Sequence, residues 1–236
     1  MSNKKRIITF NNDTSIISYA GIVGPKEKQG PLGECFDYCF SDSYFGEDSW
    51  EKAESKLLKT AVITALDKGK LEPSDIDIIF AGDLLNQCVA SSLGIIDLKI
   101  PFSGMYGACS TMALSLLNAA ISVNSSVAEY SVAATSSHFC SAERQYRFPL
   151  EYGGVRPPTS QWTVTGSGAV VVGRGGIVKF ASGMFGKMME LGITDANNMG
   201  AAMAPDDVKI RPYPTNEGMV FFYTQIYIKG GLSHYI

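Results

Sequence analysis

Apolar side chains at Trp50, Ala53, Leu57, Leu58, Ala61, Val62 and Ala65 recur every three or four positions, which predicts an amphipathic helix over residues 49–68 with Lys and Glu on its outer face. Asp48, with Glu51 three positions later, reads as a capping-box start, and Gly69 as the stop. A second helical stretch, residues 109–123, is of another kind. Ala113, Leu114, Leu116, Leu117, Ala119, Ala120, Ile121 and Val123 cover every face, and a helix apolar all round is expected to be buried all round. Short runs rich in β-branched and apolar residues predict strands at 16–22, 76–81, 100–103, 130–134 and 163–172, with a short helix from Gly82-Asp83 through Leu93. Residues 23–46, punctuated by Gly, Pro and Asp, read as a long working loop. Strands alternating with helices imply right-handed βαβ units and a mostly parallel sheet. The wholly apolar helix adds that the layer covering this sheet is itself covered.

IVKFASGMFGK from residue 177 faintly echoes ISYAGIVGPK at 17–26, so a first unit is expected over 1–175 and a second, only begun, over 176–236. Residues 208–236 hold six of the chain's aromatics and no helical pattern. Two readings stay open there: a closing strand with a tail, or a chain cut short or altered.

Charge sharpens this pattern. Only 18% of the 236 residues are charged, against roughly 25% in an average domain, and residues 81–142 carry four such side chains: Asp83, Asp97, Lys99 and Glu129. No apolar run there reaches the length of about 18 that a membrane helix needs, so the stretch reads as core or subunit interface. A net charge of -3 with 45% hydrophobic residues excludes a disordered chain and argues against nucleic-acid binding. The five Cys form no CxxC pair, and MSNKKRIITFNNDTS lacks the apolar stretch of a secretory signal, so disulfides are not expected. Two His are too few for a zinc site to be expected, and no cofactor is implied.

The strongest chemical signal is GMYGACSTM, residues 104–112. A strand runs into a Gly-flanked turn, and Cys109 stands where the apolar helix begins. A thiol at a helix N-terminus meets the positive end of the dipole and free N–H groups, which favours its anion and offers an anion seat. Cys109 is thus a candidate nucleophile, a carboxylate seat, or a small residue in a tight turn. A nucleophile needs a base, and His138 after the fourth strand is the internal candidate. Asp83 and Asn86 follow a strand end, where ligands of parallel sheets bind, although Asp83 equally suits an N-cap. Charge returns in SAERQYRFPLEYGG, where Arg144 and Arg147 among aromatics suit a planar dicarboxylate or, equally, a solvated loop.

AGIVGPKEKQGPLG (20–33), AGDLLNQ (81–87), GMYGACST (104–111), AATSSHFCSAERQYRFPLEYGG (133–154), TVTGSGAVVV (163–172) and LGITDANNMGAAMAP (191–205) together resemble the stage V sporulation protein AD family of spore-forming bacteria. That family is part of the thiolase-like superfamily, in which Cys109 occupies the nucleophile position. The resemblance implies an α/β, thiolase-like α-β-α-β-α fold of two similar halves, here with the first half complete and the second only begun. It further implies a homodimer and binding of dipicolinic acid or its calcium complex during uptake into the spore. Membrane-embedded proteins of the same operon are the implied partners, and the implied location is peripheral on the spore inner membrane or cytoplasmic. Cys109, His138, Asp83, Asn86, Arg144 and Arg147 are the site residues expected on this basis. The family is not known for synthase activity, and thiolase-type condensation draws further His or Asn residues from the second half. An acyltransferase using Cys109, or a purely structural subunit, are the alternatives.

Overall fold

The computed structural model describes residues 7–146, 163–176, 178–185 and 224–229. In chain order its strands are β1 (Ile7–Thr9), β2 (Thr14–Val23), β3 (Tyr38–Cys39), β4 (Ile78–Gly82), β5 (Phe102–Gly104), β6 (Ser131–Ser137), β7 (Gly166–Arg174), β8 (Val178–Phe185) and β9 (Thr224–Lys229). Its helices are α1 (Pro25–Lys28), α2 (Trp50–Gly69), α3 (Val89–Ile95), α4 (Thr111–Asn124) and α5 (Phe139–Tyr146). The strands join in one sheet of order β1-β8-β2-β7-β6-β4-β5, with β3 beside β2 and β9 beside β8. β4 pairs in parallel with both β5 and β6, while β7 is antiparallel to both β6 and β2. β2, β4, β5 and β6 therefore point one way, but the sheet is mixed rather than mostly parallel as the alternation predicts, because β7 lies reversed between β2 and β6 and β8 also pairs antiparallel with each of its neighbours. β8 pairs antiparallel with β1 and with the start of β2, and so extends the same sheet.

One helix covers each face. α2 lays Leu57, Leu58, Ala61, Val62 and Ala65 on Ile22, Val132, Ala134, Ala169 and Val171. α4 lays Leu116, Leu117, Ala119, Ala120 and Val123 on Phe80, Ala133 and Val172 from the other side. Each fully buried Leu in these layers is worth about 1.5–3 kcal/mol of transfer free energy. The described residues thus form an α-β-α sandwich. The face of α4 turned away from the sheet is only partly covered: Leu114, Asn118 and Ile121 are half-buried, so burial on every side holds for the sheet-facing half alone. Among the described residues no helix is long and apolar enough to cross a membrane.

Several local expectations shift. Ser49, not Asp48, caps α2, its hydroxyl accepting from the Lys52 N–H at 3.3 Å, while Asp48 pairs with the Lys52 ammonium. α2 ends in a left-handed Lys70, one residue beyond the Gly69 stop. The helix predicted from Gly82 starts only at Val89, because Asp83 uses its carboxylate in the preceding loop and Gln87 and Cys88 are both left-handed. α5 falls in a stretch whose run of charge suggests a loop. Glu54, expected with the other Lys and Glu side chains on the outer face of α2, is completely buried.

Candidate functional site

A cavity of about 420 Å³ opens at the carboxyl ends of the parallel strands, the edge where α/β sheets bind ligands. Val23 from β2, Asp83 and Leu84 after β4, Thr135 to Ser137 at the end of β6, and Gly166 to Gly168 at the start of β7 form its walls. Ala108, Cys109 and Thr111 close it from the N-terminus of α4. Among the described residues Asp83 is the one charged side chain on the wall; the rest are apolar groups, hydroxyls and the Cys109 thiol.

The turn that presents Cys109 is held by its own hydrogen bonds. The Gly107 N–H donates to the Thr111 hydroxyl at 3.1 Å, the Thr111 hydroxyl to the Ala108 carbonyl at 2.8 Å, and the Ser110 hydroxyl to the Gly107 carbonyl at 2.7 Å. Ala108 takes a left-handed φ of 47°, a conformation that costs a non-glycine residue about 1 kcal/mol or more. Gly82 lets this turn press against the end of β4: a Cβ there would run into the Met105 carbonyl, and the Met105 N–H donates to the Ala81 carbonyl at 2.8 Å. Cys109 itself is exposed on the cavity wall and is a free thiol.

Asp83 lines the cavity with its carboxylate already engaged. Oδ1 accepts from the Leu85 N–H at 2.8 Å, and Oδ2 from the Ser91 N–H at 2.7 Å and the Ser91 hydroxyl at 2.6 Å. The residue before α3, Cys88, supplies no side-chain cap. Asp83 therefore caps α3 from across the loop. Asn86 is exposed in the intervening turn and is not part of the wall.

His138 is fully buried and is likewise outside the wall. Its Nε2 donates to the Ser43 carbonyl at 2.8 Å, and its Nδ1 accepts from the Cys140 N–H at 3.2 Å. Both contacts suit one neutral tautomer, and burial pulls the imidazole below its usual range. Phe45, Trp50 and Phe139 pack around the ring. Of the residues expected at the site, the structure gathers Cys109 and Asp83 at one cavity and sets His138 and Asn86 apart. Arg144 lies on α5, which leaves the same edge of the sheet, and Arg147 lies outside the described residues.

Glu54 is the residue that its charge conceals among the outer Lys and Glu of α2. From α2 it accepts the Ser136 hydroxyl at 3.1 Å on Oε1 and the Ser141 hydroxyl at 2.5 Å on Oε2. Burial pushes its carboxyl up to about 7, and the neighbouring Asp83 charge adds to the effect, against the two serine hydrogen bonds. Ser136 belongs to the cavity wall, so Glu54 stands directly behind it. The available signal is spacing: Glu54 precedes Leu58 by four and Ala61 by seven, the period of the buried stripe.

The family model of stage V sporulation protein AD matches residues 4–231. The stage V sporulation protein AD of Bacillus subtilis (strain 168) is 46% identical over 202 residues, covering 85% of this chain and 60% of the relative. The chain thus spans about three fifths of that relative's length. Among solved structures, a single-residue variant of Xanthomonas campestris OleA bound with cerulenin has a TM-score of 0.57 at 14% identity, over 82% of this chain and 68% of that one. A second OleA variant from the same organism has a TM-score of 0.51 at 14% identity, over 76% and 62%. These likenesses show a thiolase-like α/β fold. With the family model spanning nearly the whole length and a relative at 46% identity, the chain belongs to the stage V sporulation protein AD family.

Proposed function

We propose that the cavity beside Cys109 binds dipicolinic acid or its calcium complex, and that the protein supports uptake of this ligand into the developing spore. The observation that carries the reading is the wall itself, with apolar sides wide enough for a flat ring and a helix N-terminus with hydroxyls at one end. The α4 N-terminus and the Ser137 hydroxyl, which is buried and has no hydrogen-bond partner among the described residues, suit one carboxylate. Arg144 and Arg147, on and just after α5, are the proposed partners of the second, since guanidinium pairs with carboxylate through two parallel hydrogen bonds. The protein is proposed to act peripherally at the spore inner membrane with membrane-embedded proteins of its operon. It does so as a homodimer joined along the outer edge of β5, the end of the sheet order, where Phe102 is partly exposed. Isothermal titration with dipicolinate, with and without calcium, tests the site. Binding at one site per chain, weakened at least tenfold by Cys109→Trp, is expected; no binding to the unaltered protein overturns the reading.

A second reading, an acyltransferase, is favoured by one feature, the exposure of the Cys109 thiol on an apolar wall. In it the Cys109 sulfur attacks the thioester carbonyl of an acyl-CoA, a new carbon–sulfur bond forms, and the CoA thiol leaves. Against it, both nitrogens of His138 are occupied by backbone groups. Intact mass after incubation with acyl-CoA separates the two: an adduct of acyl mass, absent in Cys109→Ser, establishes the covalent step.

A further inference from the structure

We propose that Glu54 is a positioning residue of the cavity, and that it takes up one proton when a carboxylate ligand enters, being an anion behind the empty cavity and a neutral acid behind the filled one. This rests on the reading of the cavity as a carboxylate site and adds how that site is controlled.

The geometry comes first. Glu54 is fully buried, and its two oxygens are joined to hydroxyls on two different elements, Ser136 at the end of β6 and Ser141 on α5. The side chain of Glu54 on α2 thereby ties together the cavity wall and α5. As the anion, Glu54 accepts both hydroxyls. As the acid, it donates one hydrogen bond, and one serine must turn to receive it. Ser136 lines the wall while its hydroxyl turns back to Glu54, so the protonation state of Glu54 sets how this wall residue is held.

The electrostatics point the same way. The charged groups that face Glu54 are Asp83, from the end of β4, and Glu51, on α2 itself; both are acidic and both favour the neutral acid. His138, just before α5, is kept neutral by its burial and supplies no compensating charge. A ligand carboxylate in the cavity adds a third negative charge on the far side of Ser136. With the carboxyl already poised at about 7, that addition is enough to carry it to the acid across the neutral range.

Titration of the protein with dipicolinate between about pH 5.5 and 8.5 tests the inference. Below about pH 7 the affinity is expected to be flat, and above it to fall about tenfold per pH unit, the limit for uptake of one proton. Glu54→Gln, which keeps the shape and, like the neutral acid, accepts from one serine and donates to the other, is expected to bind with an affinity that does not change across this range. Should that variant fail to fold, calorimetry of the unaltered protein at about pH 8 in two buffers of different ionisation heat reads the proton directly. About one proton taken up per ligand supports the inference, and none overturns it. Binding with the same pH profile in Glu54→Gln and the unaltered protein also overturns it while leaving the dicarboxylate site standing. Absence of binding at every pH in both overturns the site and the inference together.

Discussion

A carboxyl group buried beside an Asp costs more to fold as the anion than as the acid, even with two serine hydroxyls bonded to it. For Glu54 the folded value of about 7 lies above the ordinary value of 4.5, so the folded chain holds the proton more tightly between these limits. Stability is then greatest below the unfolded value, is lost as pH rises toward 7, and levels off beyond it; the loss amounts to roughly 3 kcal/mol. Urea unfolding at about pH 5, 6, 7 and 8 checks this, with Glu54→Gln expected to remove the slope and to be the more stable form at the alkaline end. Equal slopes in the two proteins would assign the pH dependence to other groups. At this scale the sequence is unevenly legible. Cys109 stands out because GMYGACSTM confines a thiol to a turn between strand and helix, a local pattern. Glu54 does not, because its partners Ser136 and Ser141 lie 82 and 87 residues away, and a Glu on an amphipathic helix defaults to solvent unless something distant receives it.

Helix starts separate local from borrowed capping. Ser49 caps α2 from the adjacent position, and Ser49→Ala is expected to cost about 1 kcal/mol. α3 borrows its cap from Asp83, eight residues before Ser91. Asp83→Ala leaves the Leu85 and Ser91 N–H groups without that acceptor, at roughly 1–3 kcal/mol. Hydrogen exchange should distinguish the two variants: amides of α3 exchange faster in Asp83→Ala, those of the first turn of α2 in Ser49→Ala. Loss of α3 protection in neither would sink the assignment of Asp83 as a cap. Element legibility follows the same division. The predicted strands each overlap an observed one, because alternation and apolar runs are local. The reversal of β7 is not readable in the same way, because it is a property of its pairing with β2 and β6 rather than of its own residues. α5 is hidden by its charges, which read as a loop until β6 delivers the chain into a helix at Phe139.

For the whole molecule, the sparsely charged stretch from residue 81 to 142 supplies the end of β4, then α3, β5, α4 and β6, which accounts for its composition: most of it is sheet interior or the helix pressed on it. Its least covered part is the β5 end of the sheet. There, among the described residues, the sheet order stops, Phe102 is 37% exposed, and α3, which packs beside β4 and β5, exposes Val89 and Leu93. An unpaired strand edge with apolar neighbours is a template for pairing with another strand, and a second copy of the same edge meets it with two-fold symmetry. Phe102→Lys places a charge on this edge without disturbing the buried face. Sedimentation velocity is expected to show a dimer for the unaltered protein and a monomer for the variant, with matching circular dichroism. An unaltered protein that sediments as a monomer at every concentration tested removes the β5 edge as an interface. A dimer that persists in Phe102→Lys moves the interface elsewhere, and the half-buried outer face of α4, with Leu114 and Ile121, then becomes the surface to alter next.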